Sequence, residues 1–317
     1  MAKAVDIIQA SKTWQVMDST KLQSFMECPR KYFYEYVLGW RNENPSIHLE
    51  FGSAWHLAME HMIRERPERG YSGEVIREAW QLLNDYYRQF FPPEFDQSNA
   101  PKEPGNALYA LVGYAKWWEE EDREDKPLYT EIAGVVSLSA NRVLHFKMDS
   151  ILELQKGITS REHKTGSQLS RQWRDQWSLS IQTGTYNHVL YCLFPEDQVW
   201  GVEINGSIFN KTKTQYERVP SRRTKAMLNA WLMTANYWYD NADREMDFLF
   251  NECAEEDDVL RAYPCNPTNC NKYFGCQFMD FCMAWPNPLR SCAQPPMGYK
   301  IEHWNPAEES HKHYFTV

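Results

Sequence analysis

Two β-like apolar runs joined by a turn signal constrain this chain most, because their pairing decides which charged side chains must meet. Val143, Leu144, Phe146, Met148, Ile151, Leu152 and Leu154 fall within residues 142–154, and residues 158–165 follow after Lys156-Gly157. The pattern reads as a β-hairpin. With Lys156-Gly157 as the central turn residues, Gln155 faces Ile158, Asp149 lies opposite Lys164, and Glu162 sits diagonal to Asp149 on the same face. Such neighbours are roughly 5–8 Å apart, a range at which two carboxylates repel unless a shared hard cation offsets their charge. The bland alternative is an edge hairpin with a charged, solvated face. A register slip of one residue would separate the three groups.

The flanking segments add to this. In "FGSAWHLAMEH", His56 follows Gly52 by four residues, within a helical pattern of Phe51, Trp55, Ala58, Met59 and Met62. In "LSIQTGTYNHVLY", Gln182 and Tyr186 stand at i and i+4 on one face of an expected helix. The order is G-x-x-x-H, an Asp on a strand, E-x-K on the next strand, then Q-x-x-x-Y on a helix. This order resembles the RecB-type branch of the PD-(D/E)XK nuclease superfamily, over about residues 20–285.

The resemblance implies an α/β, restriction-endonuclease-like core, with a mixed central sheet flanked by helices. It implies one nuclease domain over residues 1–317 with a helical insertion at 57–128. The implied activity is divalent-metal-dependent hydrolysis of DNA phosphodiester bonds, by an exonuclease on single-stranded or end-containing DNA in recombination, repair, or phage or CRISPR DNA processing. Asp149, Glu162, Lys164, Gln182 and Tyr186 are then catalytic, and His56, Asp149 and Glu162 hold Mg2+ or Mn2+. The family's proline is replaced here by Met148, immediately before Asp149.

Eight cysteines stand at positions 28, 192, 253, 265, 270, 276, 282 and 292, four of them within "YPCNPTNCNKYFGCQFMDFCMAW". The start, MAKAVDIIQASK, lacks the apolar stretch of about 7–15 residues found in signal peptides, and no window approaches the ~18 apolar residues of a membrane span. A cytoplasmic, reducing location is expected, where clustered thiols point to metal rather than disulfides. Cys270, Cys276 and Cys282 are spaced by five intervening residues, wider than the usual zinc knuckle. Iron–sulfur members of the family resemble this pattern, with a further cysteine far upstream in a "CPR" segment, present here as Cys28 in "SFMECPRKYFYEY". The resemblance thus implies a [4Fe–4S] cluster on Cys28, Cys270, Cys276 and Cys282, joining the N-terminal segment to residues 265–285. A local zinc site with Cys265 in place of Cys28 is the alternative. Cys192, Cys253 and Cys292 read as ordinary thiols.

At 317 residues, with 43% apolar and 15% aromatic content, the chain can bury a large core. Its net charge of −9 is unusual for a nucleic-acid protein, but the acidity is concentrated at 119–125 and 252–258. Between Lys211 and Lys225, Lys211, Lys213, Arg218, Arg222, Arg223 and Lys225 oppose only Glu217. With Arg161, Lys164, Arg171 and Arg174 they form either a phosphate-backbone track or a solvated hairpin and helix start. Trp173, Trp177 and Tyr186 adjoin the motifs and are candidates to stack on unpaired bases. The absence of a Walker motif makes any helicase or recombination partner a separate protein. The alternative function is a catalytically silent iron–sulfur module that binds DNA or protein, against which the intact Asp149, Glu162 and Lys164 speak.

The expected elements are a first helix capped by Ser19 or Thr20 and interrupted at Pro29, then helices at 52–66, 73–91 and 105–122. Strands follow at 129–139, 142–154 and 158–165, a helix at 172–193, strands at 198–209 and 213–219, and a helix at 222–243. The tail, 286–317, is rich in proline and is expected to wrap the surface without a regular helix.

Overall fold

The structure, a computed structural model, describes residues 3–272 and 275–317. In chain order the first elements are α1 (Ala4–Ile7), α2 (Ser19–Glu27), α3 (Pro29–Tyr32), β1 (Trp40–Asn42), α4 (Ile47–Arg69), α5 (Gly73–Tyr87), α6 (Asp96–Asn99) and α7 (Pro104–Asp122). They are followed by β2 (Lys126–Ser139), β3 (Arg142–Leu154), β4 (Gly157–Gly166), α8 (Arg171–Asp175), α9 (Ile181–Leu193), β5 (Val199–Phe209), β6 (Thr214–Ser221), α10 (Lys225–Glu252), α11 (Met279–Ala284), β7 (Tyr299–Ile301) and β8 (His313–Thr316). No helix among the described residues is long and apolar enough to cross a membrane.

The chain divides into two compact units that interleave in sequence: 1–44, 136–146 and 229–309 form one, and 45–135, 147–228 and 310–317 the other. The second unit carries most of a six-stranded sheet in the order β6-β5-β4-β3-β2-β8. β4 runs parallel to β5 and antiparallel to β3, and β8 runs parallel to β2, so the sheet is mixed, as expected. β5 is buried along almost its whole length, as a parallel strand covered on both faces must be. Phe51, Trp55, Met59 and Met62 of α4 pack with Val75, Leu83 and Tyr87 of α5, and with Leu111, Tyr114 and Trp118 of α7. Phe209, at the end of β5, presents its ring edge-on to Phe51 (4.8 Å) and Trp55 (5.0 Å), joining the helical layer to the sheet. Each such side chain contributes about 1.5–3 kcal/mol on burial. The start expected for the insertion, residue 57, falls inside α4, which is continuous from Ile47.

The hairpin register differs from the expected one. Leu154 pairs with Gly157 and Ser150 with Arg161, so Gln155-Lys156 make the turn and Asp149 comes directly across from Glu162. The shift is two residues, and because side chains alternate with period two, every residue keeps its expected face. The φ of +118° at Gly157 and a Cβ that would sit 2.6 Å from the Gln198 carbonyl reflect the close approach of the chain entering β5, not the centre of a turn.

Other elements also depart from expectation. Asp18 rather than Ser19 or Thr20 caps α2, its carboxylate accepting from Lys21 N at 2.7 Å. The expected first helix breaks at Cys28, where Pro29 starts α3, and continues as a π-helical turn over Phe33–Val37. The expected 172–193 helix is two helices, α8 and α9. In the tail, β7 pairs with β1 within the first unit and β8 extends the sheet of the second.

Candidate active site

Adjacent antiparallel strands bring Asp149 and Glu162 together, and α4 brings His56 to them. His56 Nδ1 lies 2.9 Å from Asp149 Oδ1, and the main-chain N–H of His163 donates to Asp149 Oδ2 at 2.7 Å. Lys164 Nζ donates to Glu162 Oε1 at 2.8 Å, while Glu162 Oε2 is buried with no hydrogen-bond partner. An orphaned carboxylate oxygen beside a second carboxylate is costly unless a cation satisfies it. Burial pushes the Glu162 carboxyl up to about 7, and neighbouring Asp149 adds to the rise. Burial also disfavours charge on Asp149, but His56, His163 and Lys164 outweigh it and hold that carboxyl below the usual range. For His56 and Lys164 burial opposes the cation, yet the surrounding carboxylates raise both.

On α9, Gln182 Nε2 donates to the Tyr186 hydroxyl at 3.0 Å, and that hydroxyl donates to the Lys147 carbonyl of β3. The Gln–Tyr pair thus ties the helix to the strand bearing Asp149. Among the described residues, no three or more His, Cys, Asp or Glu side chains are arranged as a ready-made metal site. Here the donors engage one another: His56 is turned onto Asp149 and Lys164 onto Glu162. The donor set, two carboxylates and an imidazole with one carboxylate oxygen unsatisfied, suits Mg2+ or Mn2+.

In the first unit, Cys28 Sγ accepts from Asn266 N at 3.3 Å, and Arg30 N donates to the Pro264 carbonyl at 3.3 Å. Cys28, Cys270 and Cys276 line a cleft of about 300 Å³ together with Lys31. Burial, then Cys28, Cys282 and Cys270, push the Cys265 thiol up to about 12, and burial, with Cys28 and Cys276 adding to it against Arg30, raises Cys282. Among the described residues these thiols do not form a group of three or more placed to hold a metal ion.

The basic residues separate into two groups. Arg171, Lys211, Lys213 and Arg222 are exposed, Arg222 lying over the Trp200 ring at 5.4 Å. Arg174 pairs with Glu217 at 2.8 Å. Arg223 is a correction: it is buried and donates to the carbonyls of Ser180 (2.8 Å) and Ser178 (3.3 Å), holding the chain ahead of α9. Arg161 and Arg218 also leave the expected track. Arg161 is fully buried against Asp122 (3.0 Å), Asp125 (3.0 Å) and Glu203 (2.9 Å), and Arg218 reaches Asp122 at 2.7 Å. Two acids of the 119–125 run are therefore internal counter-ions. The signal for this lay in β4 and β5, where Arg161 and His163 alternate with Glu162 and Lys164, and Glu203 and Asn205 alternate with Ile204. Buried strands with polar residues on one face require polar partners there.

Trp173, a candidate for base stacking, is half-buried against glycines. A Cβ on Gly206 would run into its indole, and one on Gly166 would lie 3.2 Å from its Nε1. These two glycines make the slot that seats α8 beside the end of β4.

The family model described as PD-(D/E)XK nuclease superfamily matches residues 19–283. Among solved structures, the crystal structure of SSO0001 is similar at 9% identity, with a TM-score of 0.26, over 69% of this chain and 84% of that one. No curated protein matches. The family match covers most of the chain and includes His56, the strands bearing Asp149, Glu162 and Lys164, and the helix bearing Gln182 and Tyr186: this chain belongs to the PD-(D/E)XK nuclease superfamily.

Proposed function

We propose that the protein is a divalent-metal-dependent deoxyribonuclease, acting as an exonuclease on single-stranded or end-containing DNA. The observation that carries this reading is the buried, partnerless Glu162 Oε2 within a cluster of Asp149, His56 and Lys164. His56, Asp149 and Glu162 would hold Mg2+ or Mn2+, which when bound offsets charge building on the scissile phosphate and acidifies a water. Lys164, kept cationic by both carboxylates, is a poor base; its ammonium orients the attacking water or donates to the phosphate. Gln182 and Tyr186 fix the strand that bears Asp149. Arg171, Lys211, Lys213 and Arg222 remain exposed and able to meet phosphates.

The same reading assigns a [4Fe–4S] cluster to Cys28, Cys270, Cys276 and Cys282, supported by the broad thiol-lined cleft, with Cys265 as the competing fifth thiol. The test is digestion of end-labelled single- and double-stranded DNA with Mn2+. The wild type is expected to degrade the single strand, with Asp149→Ala inert and taking up no Mn2+ by calorimetry. Inertness of both proteins, with the cluster loaded and several metals tried, would overturn the catalytic reading in favour of a binding module.

A further inference from the structure

Residues 310–317 return to the unit that holds the candidate site, where β8 extends the sheet beside β2. Backbone pairing fixes Lys312 at the start of that strand: its N–H donates to the Glu131 carbonyl at 2.9 Å, and further along Val317 N donates to the Val135 carbonyl at 2.9 Å. The Tyr129 ring lies edge-on to His313 (5.3 Å) and Phe315 (5.4 Å), which holds β8 in place. Glu131 itself has a φ of +48°, in the left-handed region that a residue with a side chain seldom adopts and that clusters at functional sites.

The Lys312 ammonium meets the Glu60 carboxylate. Glu60 follows His56 by four residues on α4 and so stands one turn away on the same face. Glu131 pairs with Lys147 at 3.1 Å, and Lys147 lies two residues before Asp149 on β3, on the same face of the strand. Burial, then the charge of Asp149 and with less weight that of Glu60, raises the Glu131 carboxyl, while Lys147 opposes the rise. The rim of the site thus joins Glu60 and Glu131 to Asp149 and Glu162, with Lys147 and Lys312 beside Lys164.

That charge balance decides whether a polyanion can enter. The carboxylates Asp149, Glu162, Glu131 and Glu60 exceed the cations Lys164, Lys147 and Lys312 by one charge, and a bound divalent ion makes the cluster positive. Without Lys312 the ion-loaded cluster is neutral. An ion pair open to solvent adds little stability, so pairing with Glu60 accounts poorly for this lysine. Its side chain is 43% exposed, and an ammonium has three N–H donors, of which Glu60 Oε1 engages one.

We propose that Lys312 is a nucleic-acid-binding residue of the active-site rim, donating to a backbone phosphate of single-stranded DNA beside the scissile one. The inference rests on the nuclease reading above and adds to it a contact carried by β8.

The test is fluorescence anisotropy of a labelled single-stranded oligonucleotide, with Ca2+ as the divalent ion, titrated at several sodium chloride concentrations. Lys312→Gln is expected to raise Kd about three- to tenfold and to reduce the slope of log K against log salt by about 0.7, the share of one phosphate contact. In digests with Mn2+ the variant should raise KM by the same factor with kcat kept, and by calorimetry it should take up Mn2+ as the wild type does. Lys312→Arg should restore both affinity and slope. Glu60→Gln, which releases the ammonium and deletes a negative charge, should tighten DNA binding rather than weaken it. Equal affinity and slope in the wild type and Lys312→Gln overturn this inference alone and leave a surface ion pair. A fall in Mn2+ uptake that matches the fall in DNA affinity also overturns it, the lysine then acting through the metal site. A wild type that takes up no divalent ion and cuts nothing overturns the proposed function, and this inference with it.

Discussion

Glu162 concentrates the energetics of the site in one carboxyl group. Its folded pKa, about 7, lies above that of an exposed glutamate because burial and Asp149 both disfavour its charge. The folded state therefore binds the Glu162 proton more tightly than the unfolded chain does. This contribution to stability is present below the unfolded pKa of about 4.5 and is lost as pH rises toward 7. In chelator-treated protein, Glu162→Gln should remove this loss and stabilise the fold at pH 8 by on the order of 2 kcal/mol, read from urea midpoints compared with those at pH 5. A variant no more stable than wild type at pH 8 would refute the strained-carboxylate account. Arg161 poses the opposite case, because two of its three carboxylate partners, Asp122 and Glu203, are buried with it. Arg161→Met leaves Asp122 and Glu203 short of a cation and should cost roughly 3–5 kcal/mol in chemical denaturation. A loss of a few tenths would mean that Arg66, 3.4 Å from Asp122, and Arg218, 3.6 Å from Glu203, suffice to neutralise them.

Strand register and two glycine slots determine what the elements can do. Gly157 combines a φ of +118° with a Cβ position 2.6 Å from a backbone carbonyl that cannot yield without moving the chain entering β5. Gly157→Ala should therefore destabilise by about 1–3 kcal/mol, whereas at a relaxed turn the same change would be neutral or helpful. Gly206→Ala should expel the Trp173 indole from its slot and change the near-ultraviolet circular dichroism, with α-helix content kept. The register correction shows what a sequence can resolve. Faces were legible because alternation survives a two-residue shift. The opposing partner was not, because one glycine serves equally well as a turn residue or as a site of close approach.

Across the whole chain, the first unit unites segments far apart in sequence, with Cys28 near Asn266 and β1 against β7. On the cluster reading, a ring closed from Cys28 to the C-terminal thiols would constrain the unfolded chain by roughly 5 kcal/mol through loop closure. Cys28→Ala should then give a colourless protein in which residues near both ends become protease-sensitive together. If the wild type is colourless and binds zinc instead, with Cys265→Ala rather than Cys28→Ala releasing it, the local four-thiolate alternative is correct.

The sequence by itself determined the order of the motifs, the faces of the hairpin and the family, because those depend on local periodicity and on short spacings of chemically particular residues. Tertiary structure alone decided that Arg161, Arg218 and Arg223 are internal, that Asp122 is the counter-ion of Arg161 and Arg218, that the tail adds strands, and that His163 and Asn205 stand behind the candidate site. Those outcomes depend on which buried charge meets which partner across the packed layers, and composition constrains such pairings only through the requirement that each be satisfied.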